Sequence, residues 1–258
     1  MKIAELIKIL DDKYCFQNQE EWDNCGVLEQ NKSDTNQEIT NILISLDVSK
    51  ELIYKAIKNK ANVIITHHPI YVGSLEEQHK INWINDVLEL LNVNNIIHIS
   101  LHTCYDTYIY GTSYSIIKYL FANNKSIIIK RLENSKYCDY IELEKPIKIS
   151  HLIKKIKKSK KVKFVKAIRC FYNRKVKNIG VVGGSGFSEI YNILESNAKI
   201  DCLLTGDIKW HNFTESYELY FPIIDIGHDA EWLGCLEIFN FLKCYISNIE
   251  FIKPLEIK

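Results

Sequence analysis

The sequence predicts an α/β protein, and three observations carry that prediction. Short apolar, β-branched runs recur at residues 41–46, 62–66, 95–101, 179–182, 201–204 and 222–226, each of strand length and bounded by turn residues. Segments of helical periodicity separate most of them, and alternating strands and helices build α/β architectures. Histidines and carboxylates gather just after several of these runs, where open α/β sheets bind their ligands.

Taken in order, residues 2–11 place Ile3, Leu6, Ile7 and Leu10 on one face of an opening helix. Residues 21–28, with Asp23-Asn24 and Gly26, predict a turn feeding a short strand, and 30–38 a polar loop. The strand at 41–46 ends in Asp47, and Ser49 opens a helix to about Lys58. That helix leads into the strand ending at Thr66, a strand–helix–strand unit. Two imidazoles, His67 and His68, come directly after it, and Pro69 stops any simple continuation. A helix over 81–91, a strand over 95–101 ending in His102-Thr103-Cys104-Tyr105-Asp106, and a helix over 113–121 come next.

From residue 125 the pattern changes. Strand-like runs at 126–131 and 137–143, a helix at 150–158 and a strand at 162–171 read as a smaller α+β middle block. The expected division is a lobe of 1–124 with 178–258, and an inserted segment at 125–177. Beyond Asn178 a strand runs into Gly183-Gly184-Ser185-Gly186, with a helix to about Glu195. The strand at 201–204 ends in Thr205-Gly206-Asp207 and precedes a helix over 208–217. The strand at 222–226 ends in Gly227-His228-Asp229-Ala230-Glu231, with a helix to about Tyr245 and a short closing strand.

Composition narrows the class. The 258 residues are 47% hydrophobic and 25% charged, as in ordinary globular proteins that bury a sizeable core. Lys and Arg number 33 against 32 acids, so net charge gives no support to a nucleic-acid partner. The eight cysteines are scattered without a Cys-x-x-Cys pair, which argues for reduced thiols rather than a cysteine zinc knot. The first residues lack the apolar core of a signal peptide, and no stretch approaches the ~18 apolar residues of a membrane span. The expected setting is the cytoplasm, with no membrane partner.

Three strand ends carry potential metal ligands: His67 and His68, then His102 and Asp106, then His228 and Glu231. All but His102 form a nitrogen–oxygen set with two carboxylates, which suits zinc, iron or manganese. Five ligands exceed the three protein ligands of a single catalytic zinc. They fit two divalent ions about 3.5–4 Å apart with a bridging hydroxide. His98 and His151 read as hydrogen-bonded core residues, and His79 as a surface loop residue. The glycine loop at 183–186 is either a phosphate-holding turn or simply a tight strand-to-helix turn. The lysine-rich run from Lys154 to Lys163 reads as a solvated helix face, with a polyanion-binding rim the lesser reading. His102 and His211 read as groups that line the pocket and orient ligands or substrate.

These segments resemble the GTP cyclohydrolase 1 type 2 homologues, the NGG-one-interacting-factor-three-like dinuclear metal-centre proteins. The resemblance lies in Glu21-Trp22-Asp23-Asn24-Cys25-Gly26, Leu46-Asp47-Val48, Ile65-Thr66-His67-His68-Pro69 and His102-Thr103-Cys104-Tyr105-Asp106. It continues in Gly183-Gly184-Ser185-Gly186, Thr205-Gly206-Asp207-Ile208-Lys209-Trp210-His211 and Asp225-Ile226-Gly227-His228. It implies a two-lobed α/β fold of the short form, a ring- or cage-like homohexamer, and metal-ligand positions at His67, His68, Asp106 and His228, with Glu231 the candidate for the last. The family usually spaces its last histidine and glutamate four apart. Here the spacing is three, which keeps the pair on one helical face but lets Asp229 compete. Cys104 stands where the family tends to have Asn, as an inert thiol or an occasional soft ligand.

The expected function is a metal-dependent hydrolase acting on a nucleotide through a metal-bridging hydroxide, GTP being the substrate the family resemblance implies. Asp106 and Glu231 would bridge the ions, and His102 or His211 would protonate the leaving group. A phosphoester hydrolase on nucleotides, and a non-catalytic metal-binding scaffold or partner-binding protein, are the alternatives.

Overall fold

In the computed structural model, residues 1–78, 81–122 and 127–251 are described. The chain opens with α1 (Ile3–Tyr14) and continues through β1 (Ile42–Ser45), α2 (Lys50–Lys58), β2 (Val63–Thr66), α3 (Leu75–Gln78), α4 (Asn82–Val93), β3 (Ile97–Ser100) and α5 (Thr103–Asp106). Next come α6 (Thr112–Leu120), β4 (Ile129–Arg131), β5 (Asp139–Lys148), α7 (Ile149–Ser159), β6 (Lys166–Ala167), β7 (Lys175–Val181) and α8 (Glu189–Glu195). β8 (Cys202–Thr205), α9 (Trp210–Glu218), β9 (Ile223–Asp225), α10 (Trp232–Leu242) and β10 (Ile249–Phe251) complete it. No helix of the described residues is long and apolar enough to cross a membrane.

Two units divide the chain, Met1–Tyr108 with Cys235–Lys258, and Ile109–Gly234. The first is built on a parallel sheet in the order β10-β1-β2-β3. Every residue of β1, β2 and β3 is buried, because helices cover both faces, so the strands read as unbroken apolar runs. Side chains alternate between the faces. Ile42, Ile44, Val63 and Ile65 pack with Ile3, Leu6 and Leu10 of α1, whereas Leu43 and Ile64 pack with α2 and α4 through Ile53, Ala56, Val87 and Leu91. The predicted cap is present: Ser49 Oγ accepts from the Leu52 amide at 3.1 Å.

The second unit has a mixed sheet in the order β4-β5-β7-β8-β9-β6. β7, β8 and β9 run parallel, and β4, β5 and β6 are added antiparallel. α6 and α7 cover one face through Ile116, Ile117, Leu152 and Ile156. α8 and Phe213 of α9 cover the other with Ile190 and Ile193.

The structure corrects several expectations. The described part of 125–177 is not a separate insert, since β5 pairs with β7 and β6 with β9, so the middle block shares one sheet with β7, β8 and β9. The strand expected over 162–171 shrinks to the two residues of β6, with a 3₁₀ turn at Arg169–Phe171 after it. It lies at the sheet edge and carries lysine, as short protected edges do. β5 runs past 143 because Pro146 falls where the register shifts between Glu142 and Ile147, a place where a ladder tolerates proline. Residues 21–28 form no strand; Gly26 makes an isolated pairing with Ser100. α3 was not anticipated, His151 is exposed on α7 rather than in the core, and His79 lies outside the described residues.

Candidate metal centre

The polar groups of the first unit stand where its parallel strands end. β2 delivers His67 and His68, and β3 delivers His102 and, through α5, Asp106. One ligand atom from each of His67, His68 and His102 lies within 4.8 Å of the others, and Asp106 Oδ1 is 3.6 Å from His67 Nε2. Each imidazole is held from behind. His67 Nδ1 meets the Leu101 carbonyl at 2.8 Å, His68 Nδ1 meets Asp47 Oδ1 at 2.7 Å, and His102 Nδ1 meets Asp23 Oδ1 at 2.8 Å. A carbonyl or carboxylate only accepts, so each Nδ1 carries a proton and each ring turns its Nε2 forward.

Beneath this turn lies His98, fully buried. Thr66 Oγ1 donates to the His68 carbonyl at 2.6 Å and pairs with His98 Nε2 at 2.7 Å. Since the hydroxyl's proton is committed, His98 Nε2 donates to it. Burial pushes the His98 pKa down to about 3, so this ring is a neutral structural support, as the sequence suggested. Asp23 is buried too, which opposes its charge. Hydrogen bonding and charge from His102, with the Thr103 hydroxyl and amide, outweigh burial and hold the Asp23 carboxyl far below its usual range.

The second unit repeats the device at the ends of β8 and β9. His228 Nδ1 meets Asp207 Oδ2 at 2.7 Å, and His228 Nε2 lies 3.1 Å from Glu231 Oε2. Residues His228–Glu231 form a 3₁₀ turn. With three residues per turn, positions i and i+3 eclipse, so the three-residue spacing brings the two groups together rather than parting them. Asp229 instead lies 3.5 Å from Lys163 Nζ. Gly206 is required for this approach, because a Cβ there would stand 2.5 Å from the His228 amide nitrogen.

Gly183–Gly186 is a tight turn built around Glu231. Gly184 has φ +58°, and a Cβ on it would meet Glu231 Oε1 at 2.3 Å. The amides of Gly183 and Gly186 are already bonded to Ser113 Oγ and Thr205 Oγ1, which removes donors that a phosphate would need. Cys104 is fully buried, its hydrogen bond to Cys25, together with burial, pushes its thiol strongly up, and it belongs to none of the donor groups found among the described residues. His211 is exposed on the first turn of α9, and it belongs to none of the donor groups found among the described residues.

These donors fit a divalent metal. His228 stands between two carboxylates, Asp207 at Nδ1 and Glu231 at Nε2, an acidic setting that a divalent cation on the Nε2 side would neutralise. Imidazole and carboxylate ligands with their outer nitrogens anchored are the set that zinc, iron or manganese takes. Sequence reasoning passed over the anchors Asp47 and Asp207. A signal existed: each precedes its histidine by 21 residues, at the end of the neighbouring parallel strand.

A model of the DUF34/NIF3 (NGG1p interacting factor 3) family matches residues 1–254. The chain belongs to this family. It is 29% identical over 260 residues to a GTP cyclohydrolase 1 type 2 homolog of Ureaplasma parvum, covering 100% of this chain and 96% of that one. It is 26% identical over 261 residues to the Helicobacter pylori protein named GTP cyclohydrolase 1 type 2, covering 99% and 98%. The crystal structure of Staphylococcus aureus protein SA1388 superposes with a TM-score of 0.83 at 24% identity over 100% and 97% of the chains; at that identity the likeness speaks for the fold.

Proposed function

We propose that this DUF34/NIF3 protein is a metal-dependent hydrolase of a nucleotide, with His67, His68, Asp106, His228 and Glu231 as ligands of two divalent ions. The observation that carries the reading is the anchoring of every candidate imidazole through Nδ1, which fixes each ring's orientation as the outer partners of metal ligands do. The printed name of the Helicobacter pylori relative supports GTP as the first substrate to try. Two bound ions would supply a nucleophile from water at neutral pH and neutralise charge developing on the substrate.

The chain's own groups do the rest. Asp47 and Asp207 hold His68 and His228 in one tautomer. Asp23, kept anionic, holds the His102 ring by its Nδ1, and His102 is the first candidate to hand a proton to a leaving group. His211 is the second candidate for that transfer. The same proposal includes homohexamer assembly in the cytoplasm, the former measured by light scattering of the purified protein.

The test is metal analysis and then turnover. Protein purified and loaded with manganese, zinc or iron is expected to hold about two ions per chain and to hydrolyse GTP or another nucleotide, with His68→Ala inactive. One ion or none, or activity that survives His68→Ala, overturns the reading. Full metal with no turnover across a nucleotide and phosphoester panel would instead favour a scaffold.

A further inference from the structure

We infer that the open groove between α9 and β6 in the second unit binds a nucleotide, its base against Trp210 and Tyr217 and its phosphate at Lys166 and Arg169. The groove encloses about 500 Å³, within the range of small-molecule sites, roughly 300–1,000 Å³. One wall comes from α9, where Trp210, Phe213 and Tyr217 fall on one face at i, i+3 and i+7. Phe213 is buried and forms the floor, while Trp210 is 80% and Tyr217 50% exposed at the rim. An indole left that open forgoes the burial such a ring normally gains, so a flat ligand has a surface on which to stack.

The opposite wall, residues 166–169, is cationic. Lys166 Nζ sits 4.7 Å from the Phe213 ring centroid, and the groove's lining includes Arg169 but no acidic side chain. Aromatic rings beside cations, without a carboxylate, complement a planar base carrying an anionic phosphate. The position also suits such a ligand. Lys166 pairs in register with Asp225, the last residue of β9, and Trp210 opens the helix just after Asp207. The groove thus borders the strand ends that carry Asp207 and His228.

The ligand class rests on the function proposed above, but binding in this groove requires no metal, so the two readings fail separately. GMP is titrated into metal-free protein in EDTA, with inorganic phosphate as the control probe, by calorimetry and Trp fluorescence. Expected is GMP binding tighter than phosphate and weakened by salt. Trp210→Ala is expected to weaken it at least about fivefold, the lower bound for loss of a stacked base. Arg169→Gln should weaken it too, whereas His68→Ala leaves it unchanged. Because Trp210 and Arg169 are exposed, these variants should fold, and circular dichroism checks that they do. The inference is overturned by no GMP binding at millimolar concentration, by binding indifferent to both groove substitutions, or by Trp210→Ala changing only the oligomeric state. GMP binding as expected without nucleotide hydrolysis by the metal-loaded protein sustains the groove and sinks the hydrolase.

Discussion

Replacing Gly184 by alanine tests the link between the glycine turn and Glu231. The new Cβ would sit 2.3 Å from Glu231 Oε1 on a backbone with φ +58°. The left-handed conformation costs a residue with Cβ about 1–2 kcal/mol. For a chain of this size that lowers Tm by about 2–8 °C. The contact itself is relieved when the carboxylate retreats by about 1 Å towards normal van der Waals separation. A displacement of that size costs a proposed ligand far more than it costs the fold, of the order of 100-fold in activity. Differential scanning fluorimetry of the metal-free protein reads the first effect; metal content after dialysis and turnover read the second. Ser185→Ala, one residue on and exposed, is the control, with an expected change within about 0.5 kcal/mol. A Gly184→Ala protein that keeps wild-type metal content and turnover would refute the reasoning.

The same geometry predicts three other outcomes. Asp47→Asn and Asp207→Asn free the histidines to adopt the other tautomer, so metal affinity measured by chelator competition should drop about 10- to 100-fold; unchanged affinity counts against the anchoring role. His98 stays neutral down to about pH 3 in the fold but takes a proton near pH 6.5 when unfolded. The unfolded state therefore binds more protons below pH 6.5, and stability falls as pH falls, by about 2 kcal/mol between pH 7 and 5. Urea melts of metal-free wild-type and His98→Gln protein should differ in that slope, and parallel slopes would remove the claim. Arg131 lies 2.6 Å from Asp139, whose pKa burial nevertheless raises to about 6. Arg131→Met should cost about 3–5 kcal/mol at pH 7.5 by leaving that carboxylate buried without its cation. The loss should shrink at pH 5, where Asp139 takes a proton, and an equal loss at both pH values would contradict this.

Much of the fold could be read because buried parallel strands are unbroken apolar runs: 41–46, 62–66 and 95–101 differ from β1, β2 and β3 by no more than two residues at either end. The histidines at their ends were legible for the same reason. What depends on pairing was not. Whether Asp139–Lys148 joins Lys175–Val181 is decided by contacts between strands, and residues 125–177 carry no sign of them. The role of Gly184 was equally hidden, since a glycine turn looks alike whether it cradles phosphate or clears space for a carboxylate. Asp47 and Asp207 read as ordinary turn residues until the strands were placed side by side.

The pairing of Ile42 with Ile249 sets an order on synthesis. One edge of β1 stays open until β10 leaves the ribosome, whereas β4 to β9 lie in one continuous stretch of chain. At roughly 5–20 residues per second, that edge waits for about 10–40 s. An open strand edge invites pairing with other chains, and a strand as short as β1 limits that hazard. The stretch bearing His228 and Glu231 can therefore reach its native form first, while His67 and His68, translated much earlier, wait for the last strand before their sheet is complete.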